Sequence, residues 1–172
     1  MEKRPNAVTF KGAPFTLVGP QLKVGAKAPD FACLNGLDPV TLAKTPAKTR
    51  LFSVVPSLDT PVCSMQTKKF EESLAGLKDT VACYTISLDL PFAQKRFCTA
   101  ENVTNMQTLS DVHNHSFGEH YGVLIEGLPL PLLSRAVFVV DKSGTITYVE
   151  YVPEVTSHPN YDAAMAALKA AG

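Results

Sequence analysis

Short apolar runs alternate with amphipathic segments along most of the chain, and this alternation predicts strands and helices in turn. Around Gly12-Ala13-Pro14, alternate apolar positions predict a β-hairpin over residues 7–19. Residues 20–50 are rich in Pro, Gly, Lys and Thr, so we expect loops with short strands there. The remaining predicted strands are 51–55, 80–88, 106–109, 136–141 and 145–152, and the predicted helices are 61–77, 91–99, 114–121 and 160–170.

The order of these elements indicates a mixed sheet. Strands that alternate with helices in the middle of the chain favour parallel pairing, with the helices on the faces of the sheet. The tight turn at Asp141–Gly144 favours an antiparallel hairpin between the last two strands. We therefore expect a thioredoxin-like α/β fold, with a mixed central sheet flanked by helices and an added N-terminal β-hairpin. Residues 1–172 suffice for one compact domain.

Composition mainly excludes classes of partner. The 16 Lys and Arg residues balance the 16 Asp and Glu residues, which argues against nucleic acid or an anionic membrane as the main partner. No apolar run approaches the roughly 18 residues that a membrane span needs. Because no apolar stretch follows Met1–Asn6, we expect no secretory signal and a cytoplasmic location. A mature periplasmic form stays open as an alternative.

Four cysteines, Cys33, Cys63, Cys83 and Cys98, are the first candidates for chemistry. None of them forms a Cys-x-x-Cys pair, which weakens both a zinc knuckle and a thioredoxin-type dithiol. A chain of this length does not need disulfides to fold, so each cysteine serves either catalysis or core packing. Cys33 and Cys83 are interpreted as small apolar core residues.

Other polar clusters carry weaker signals. Three histidines, His113, His115 and His120, could suggest a metal site, but no matching cysteine pair accompanies them, and a solvated helix face is the favoured interpretation. Lys44, Lys48 and Arg50 are expected to lie in an exposed loop. We therefore expect no metal, haem or flavin cofactor.

Cys63 stands out because it lies at the start of a predicted helix. The buried strand 51–55 leads into a turn in which Thr60 is a favourable N-cap and Pro61 suits the first helical position. At the third helical residue, the partial positive charge and unpaired N–H groups of the helix start favour a thiolate over a thiol. Cys63 shares a face with later apolar residues, so we expect it at the partly shielded rim of the buried face. A buried structural cysteine is the alternative.

Three segments resemble one family in order and spacing. The pattern Pro56-x-x-x-Thr60-x-x-Cys63 resembles the active-site signature of peroxiredoxins, and the longer string PSLDTPVCSMQTKKF is similar to that of thiol peroxidases, the bacterial atypical two-cysteine subfamily. The similarity continues in DLPFAQKRFC at 89–98 and LSRAVFVVD at 133–141, and it covers nearly the whole chain.

The resemblance implies a role for each candidate residue. Cys63 is implied as the peroxidatic cysteine, whose thiolate attacks a hydroperoxide and becomes a sulfenic acid. Thr60, Arg135 and backbone N–H groups are implied to stabilise the charge on the departing oxygen, while Pro56 shapes and shields the pocket. Cys98 is implied as the resolving cysteine, which forms an intrachain disulfide with Cys63. The resemblance also implies recycling by thioredoxin and a homodimer.

Without the resemblance, alternatives exist for three of these residues. Arg135 could be a solvated arginine at a strand end, Thr60 a simple N-cap, and Cys98 a buried thiol. A second function is also compatible with an activated Cys63, namely a peroxide sensor or redox-regulated binding protein, because a sensor needs the same thiolate.

Helix geometry adds one structural prediction about the two cysteines. If both helices begin at the same edge of the sheet, Cys98 lies about seven residues into its helix, or on the order of 10 Å from that edge. A disulfide requires Cα atoms within about 7 Å of each other. We therefore predict that the helices around Cys63 and Cys98 unwind locally when the disulfide closes.

Overall fold

The computed structural model describes all residues from 1 to 172. Its strands are β1 (Lys3–Phe10), β2 (Ala13–Val18), β3 (Ala32–Asn35), β4 (Asp38–Thr41), β5 (Thr49–Val54), β6 (Val81–Ser87), β7 (Met106–Ser110), β8 (Leu124–Glu126), β9 (Leu132–Leu133), β10 (Ala136–Val140) and β11 (Ile146–Tyr151). Its helices are α1 (Pro61–Ser73), α2 (Pro91–Ala100), α3 (Ser116–His120) and α4 (Tyr161–Ala171), with a short 3₁₀ turn at Leu42–Lys44.

The larger sheet has seven strands in the order β11-β10-β5-β6-β7-β3-β4. The pairs β5–β6 and β6–β7 are parallel, as expected for strands connected through α1 and α2, and the other pairs are antiparallel. The predicted mixed sheet with flanking helices is therefore confirmed. Residues 20–50 contribute the short hairpin β3–β4 to one edge of this sheet.

The N-terminal hairpin belongs to a second, antiparallel sheet with the order β1-β2-β8-β9. The predicted hairpin is confirmed, although it begins at Lys3, earlier than expected. Its turn residues, Lys11 and Gly12, both have positive φ (51° and 82°), as a two-residue hairpin turn of the common primed type requires.

Two apolar cores lie on opposite faces of the larger sheet. Successive residues of a strand point to opposite faces, so Leu51 belongs to one core and Phe52 to the other. The first core includes Cys63 and Phe70 from α1 and Leu168 from α4. The fully buried strand β5 therefore ends between two packed layers, directly before the turn that leads to Cys63.

Two helices are shorter than predicted. Helix α1 ends at Ser73, not at residue 77, although the apolar spacing continues to Leu77. The chain leaves the helix because Gly76 takes a positive φ of 80°, which is incompatible with continued helix. Helix α3 begins only at Ser116, since His115 before it is left-handed with φ 57°.

Arg50 corrects the expectation of an exposed basic loop. It lies in β5 and is buried, and its Nε donates to Thr45 Oγ1 at 2.7 Å while Nη1 donates to the Asp141 carbonyl at 3.0 Å. A guanidinium can be buried in this way because its fixed N–H groups find acceptors from different parts of the chain.

No helix of the structure has both the length and the apolar character that crossing a bilayer would require.

Glu154 joins the hairpin turn to the loop after β11. Its Oε1 accepts from the Gly12 N–H at 2.9 Å, and its Oε2 accepts from the Thr156 N–H at 2.8 Å. Hydrogen bonds from Thr156, then from Gly12, lower the pKa of Glu154 from 4.5 to about 2. The turn, with Phe10 and Lys11, is thereby held over the segment that contains Val155.

We expect Glu154→Gln to lower the melting temperature at neutral pH. A carboxyl group whose pKa is lower in the folded state stabilises the fold above its unfolded pKa, and this stabilisation fades as the pH falls toward the folded pKa. The difference in melting temperature between wild type and variant should therefore narrow as the pH falls from about 5 to about 3. Thermal denaturation at several pH values measures it, and a difference that is the same at every pH would contradict the assignment.

Candidate active site

The side chain of Thr60 contacts the sulfur of Cys63 rather than capping the helix. Thr60 is the N-cap of α1 with extended backbone (φ −109°, ψ 149°), and Pro61 opens the helix, as predicted. The Thr60 hydroxyl makes no capping bond to a backbone N–H. It lies 2.7 Å from Cys63 Sγ and 2.9 Å from the Ser57 carbonyl oxygen. Since a hydroxyl has one hydrogen, it donates to one of these acceptors at a time.

Cys63 is fully buried, with 0% of its surface exposed, rather than at a partly shielded rim. A second donor reaches its sulfur from β10's N-terminal side, where Arg135 Nη2 lies 3.4 Å from Sγ. Arg135 is itself only 2% exposed, so it is not a solvated arginine at a strand end. A sulfur that faces a guanidinium and a hydroxyl is surrounded by groups that stabilise negative charge.

The Arg135 guanidinium is held by further hydrogen bonds on its other nitrogens. Nε donates to the Val155 carbonyl at 2.8 Å, and Nη1 donates to Gln66 Oε1 at 2.9 Å. Gln66 in turn donates from Nε2 to Ser53 Oγ at 2.7 Å. A buried charge needs such partners to remain ionised. The guanidinium is therefore fixed in the orientation that directs Nη2 at Cys63.

Sequence reasoning missed Gln66. It lies on α1 three residues after Cys63, so both side chains share one helix face. The available signal was an uncharged polar residue among the positions that share a face with Cys63 and Phe70, since a buried residue of this kind needs a hydrogen-bond partner.

A cavity of about 300 Å³ borders Thr60 and Arg135, the two residues that contact the sulfur. Pro56 also lines this cavity. Apolar side chains from three parts of the chain, Phe10, Val62 and Leu132, form further walls. The cavity therefore offers apolar surface next to two hydrogen-bond donors.

Cys98 is not part of this cavity. It lies on α2, is half-buried, and lines a separate cleft of about 360 Å³ together with Lys95 and Thr108. Burial raises the pKa of the Cys98 thiol, and a hydrogen bond with Thr108 opposes that shift. Cys63 and Cys98 are both free thiols, and both pack against the same apolar core. The structure thus unites Thr60, Cys63 and Arg135, and places Cys98 on the neighbouring helix with its own opening to solvent.

The two remaining cysteines lack the surroundings of a reactive thiol. Cys33 and Cys83 are both buried. Burial is the largest cause that raises the pKa of each, to about 12 for Cys83. The Cys33 thiol donates to Asp111 Oδ1 at 3.6 Å. Both thiols are buried, whereas Cys98 is half-buried, and their raised pKa values keep them protonated, so these two positions fit the interpretation as core residues.

Comparison with known proteins gives the family. The Redoxin family model matches residues 23–165. The chain therefore belongs to the redoxin family. Among its relatives, the thiol peroxidase of Halalkalibacterium halodurans is 54% identical over 166 residues, covering 96% of this chain and 98% of that protein. The thiol peroxidase of Bacillus subtilis is 51% identical over 164 residues, covering 95% and 96%.

Solved structures agree with this membership. A peroxiredoxin-like protein from Aquifex aeolicus superposes with a TM-score of 0.90 at 44% identity, covering 97% of this chain and 98% of that one. A thiol peroxidase from Chromobacterium violaceum, at 19% identity, shares the fold with a TM-score of 0.84 and 95% coverage of both chains. The predicted thioredoxin-like fold and the resemblance to thiol peroxidases of the peroxiredoxin type are confirmed.

Within this redoxin site, Thr60→Val should slow the oxidation of Cys63 by hydroperoxide about tenfold or more. Valine has the shape of threonine but no hydroxyl, so the sulfur loses the donor at 2.7 Å. Stopped-flow or rapid-quench measurement of the oxidation rate constant tests this. Thr60→Ser is the matched control, because it keeps the hydroxyl and should retain most of the rate. Equal rates for Thr60→Val and wild type would contradict the role.

Proposed function

We propose that this chain is a thiol peroxidase that reduces hydrogen peroxide and organic hydroperoxides to water and alcohols. The observation that carries the proposal is the contact of the buried Cys63 sulfur with both the Thr60 hydroxyl and the Arg135 guanidinium, at 2.7 and 3.4 Å. The adjoining cavity has apolar walls, which suits the organic part of an alkyl hydroperoxide. The names of the relatives support the same activity.

In the first step, the Cys63 thiolate attacks the nearer oxygen of the hydroperoxide. An S–O bond forms while the O–O bond breaks, and the sulfur is oxidised to a sulfenic acid as the peroxide is reduced. The departing oxygen takes a proton and leaves as water or an alcohol. Thr60 and Arg135 donate hydrogen bonds where negative charge develops on the oxygens, which lowers the barrier. Pro56, in the cavity wall, restricts the access of water to the sulfur.

In the second step, the Cys98 thiolate attacks the sulfenic sulfur of Cys63. An S–S bond forms, the S–O bond breaks, and water leaves after taking a proton. The two thiols lie on different helices and Cys98 lines its own cleft, so closure requires the local unwinding predicted above. The prediction concerns the first turn of α1 and the segment of α2 around Cys98.

A separate dithiol must return both cysteines to the reduced state, since two electrons and two protons are needed per disulfide. The chain contains no Cys-x-x-Cys pair of its own, so we assign this step to a protein of the thioredoxin class. The proposal further includes residues 1–172 acting as one domain, a homodimer and a cytoplasmic location.

A multiple-turnover assay tests the proposed function. Reduced protein is mixed with hydrogen peroxide or cumene hydroperoxide, together with thioredoxin, thioredoxin reductase and NADPH. The account predicts many equivalents of peroxide consumed per chain, with NADPH oxidised in step. Consumption of a single equivalent per chain would contradict cyclic catalysis and would favour the alternative function, a peroxide sensor or redox-regulated binding protein. Wild-type protein that does not react at all would exclude both functions.

A further inference from the structure

We propose that Asp89 is a positioning residue that connects the turn before Cys63 to the entry of the Cys98 helix and thereby sets the balance between the two steps. This inference rests on the proposed function. Asp89 lies two residues after β6 and two before α2. It is therefore part of neither element, yet it is adjacent to the helix that carries Cys98.

Both oxygens of the Asp89 carboxylate accept hydrogen bonds from the turn that leads to Cys63. Its Oδ1 accepts from Ser57 Oγ at 2.7 Å, and its Oδ2 accepts from the Leu58 N–H at 2.8 Å. Oδ2 also accepts from Ser87 Oγ at 2.7 Å. Hydrogen bonds to an ionised carboxylate are stronger than those between neutral groups, so this residue restrains both Ser57 and Leu58.

Asp89 is itself fixed to the ends of the central strands. Ser110, the last residue of β7, donates from its hydroxyl to the Asp89 carbonyl at 2.6 Å, and the bonded Ser87 is the last residue of β6. The carboxylate therefore extends from a rigid sheet edge to the turn. Movement of the turn requires that these contacts break.

The restraint reaches the reactive sulfur through Ser57 and Thr60. The Ser57 carbonyl accepts from the Thr60 N–H at 3.2 Å and lies 2.9 Å from the Thr60 hydroxyl. That hydroxyl is the group 2.7 Å from Cys63 Sγ. With Asp89 in place, the turn and the hydroxyl keep the arrangement suited to peroxide attack.

Glu71 on α1 fixes the far end of the Cys98 segment. Its carboxylate accepts from three successive backbone N–H groups, those of Thr104, Asn105 and Met106, at 2.6, 2.7 and 2.9 Å. The segment between Asp89 and Thr104, which contains Cys98, is therefore held at both ends by hydrogen bonds that involve a carboxylate. Within that interval Phe97 and Cys98 pack against the apolar core that contains Cys63. The ion pairs near the two helices, Arg96–Asp59 and Lys68–Glu101, are exposed, and exposed pairs contribute little.

These contacts predict opposite effects of Asp89 on the two steps. While the carboxylate is bonded to Ser57 and Leu58, Cys63 stays in its pocket and reacts with peroxide. When those bonds break, the turn is free to unwind and Cys63 can reach Cys98. Weakening the contacts shifts the population toward the open form, which slows oxidation and accelerates disulfide formation.

Asp89→Asn tests this directly. Asparagine is uncharged and has one acceptor oxygen, so it cannot accept from Ser57 on one side and from Leu58 and Ser87 on the other at the same time. We expect oxidation of Cys63 to slow about tenfold, and disulfide formation from the sulfenic acid to accelerate several-fold. Rapid quenching with an alkylating agent, followed by mass spectrometry, measures both rates; a Cys98→Ser background isolates the first. With excess peroxide, less sulfinic acid should accumulate than in wild type.

Two further variants make the result decisive. Asp79→Asn removes an exposed carboxylate that has no hydrogen bond or ion pair, and it should leave both rates unchanged. Ser57→Ala removes the contact from Ser57 to the Asp89 carboxylate but keeps those from Leu58 and Ser87, so it should shift both rates in the same directions by smaller factors. Combined with Asp89→Asn, the two effects should be less than additive because the residues share one contact.

Several outcomes would overturn the inference. Wild-type rates in Asp89→Asn, or both steps slowed by the same factor, would leave Asp89 with a purely structural role or none. If Asp89→Asn fails to fold, the same two rates are measured in Ser57→Ala, and wild-type rates or equal slowing of both steps would again overturn the inference. A wild-type protein whose Cys63 is not oxidised by peroxide would instead contradict the proposed function, and this inference with it.

Discussion

Cys63→Ser should lower the consumption of hydroperoxide by at least about a thousandfold, the scale of loss when an enzyme's nucleophile is removed. A serine hydroxyl at the same position is not ionised at neutral pH, so no thiolate lies beside the Thr60 and Arg135 donors to attack the hydroperoxide.

Cys98→Ser should react differently. It should consume one equivalent at a rate close to wild type, and then lose turnover with thioredoxin because no disulfide forms.

Stopped-flow peroxide consumption, with and without the reductant, measures both variants. Cys33→Ser and Cys83→Ser are the matched controls, since both side chains are buried thiols outside the site. Their turnover should stay near wild type in the folded fraction. A Cys63→Ser variant that still turns over peroxide would show that another group is the nucleophile. A Cys98→Ser variant that cycles normally would remove Cys98 from the mechanism.

Arg135→Lys should lower the oxidation rate constant of Cys63 by about a hundredfold to a thousandfold, the range found when one donor to a developing anion is lost. Lysine keeps the positive charge, but one ammonium cannot bond at once to Val155, Gln66 and the Cys63 sulfur as the guanidinium does. The variant therefore keeps the positive charge but loses the fixed orientation of the donor toward the Cys63 sulfur. The measurement is the second-order rate constant for oxidation, taken on protein whose folding has been checked by circular dichroism.

Arg96→Lys is the control for this substitution. Arg96 is exposed and pairs only with the exposed Asp59 at 3.4 Å, so the exchange should change neither rate nor stability appreciably. Wild-type oxidation kinetics in Arg135→Lys would show that the planar guanidinium is unnecessary. Loss of folding alone, with an unchanged rate in the folded fraction, would assign Arg135 to stability instead of chemistry.

Local signals in the sequence predicted most of the fold. The alternation of apolar runs with amphipathic segments gave the parallel pairs around β5, and Thr60-Pro61 correctly predicted where α1 begins. Strands β8 and β9 were missed because they have three and two residues, too few for a pattern to emerge. Their pairing depends on β2, which is distant in sequence.

Parts of the site could not be predicted from the sequence for a similar reason. The turn at Thr60 indicated a helix start, but not that the hydroxyl would contact sulfur instead of a backbone N–H. Arg50 looked like part of a polar loop, yet acceptors from distant segments allow it to be buried. Asp89 bonds to Ser57 and Leu58 across more than thirty residues of sequence. Such contacts exist only once the strands are arranged.

The most direct test of the central claim is peptide mapping after reduced protein has reacted with one equivalent of hydrogen peroxide. Free thiols are alkylated, the protein is digested without reduction, and the linked peptides are identified by mass spectrometry. The account predicts one intrachain disulfide between Cys63 and Cys98, with Cys33 and Cys83 fully alkylated. A disulfide that involves Cys33 or Cys83, or a protein whose Cys63 is still a free thiol, would contradict it.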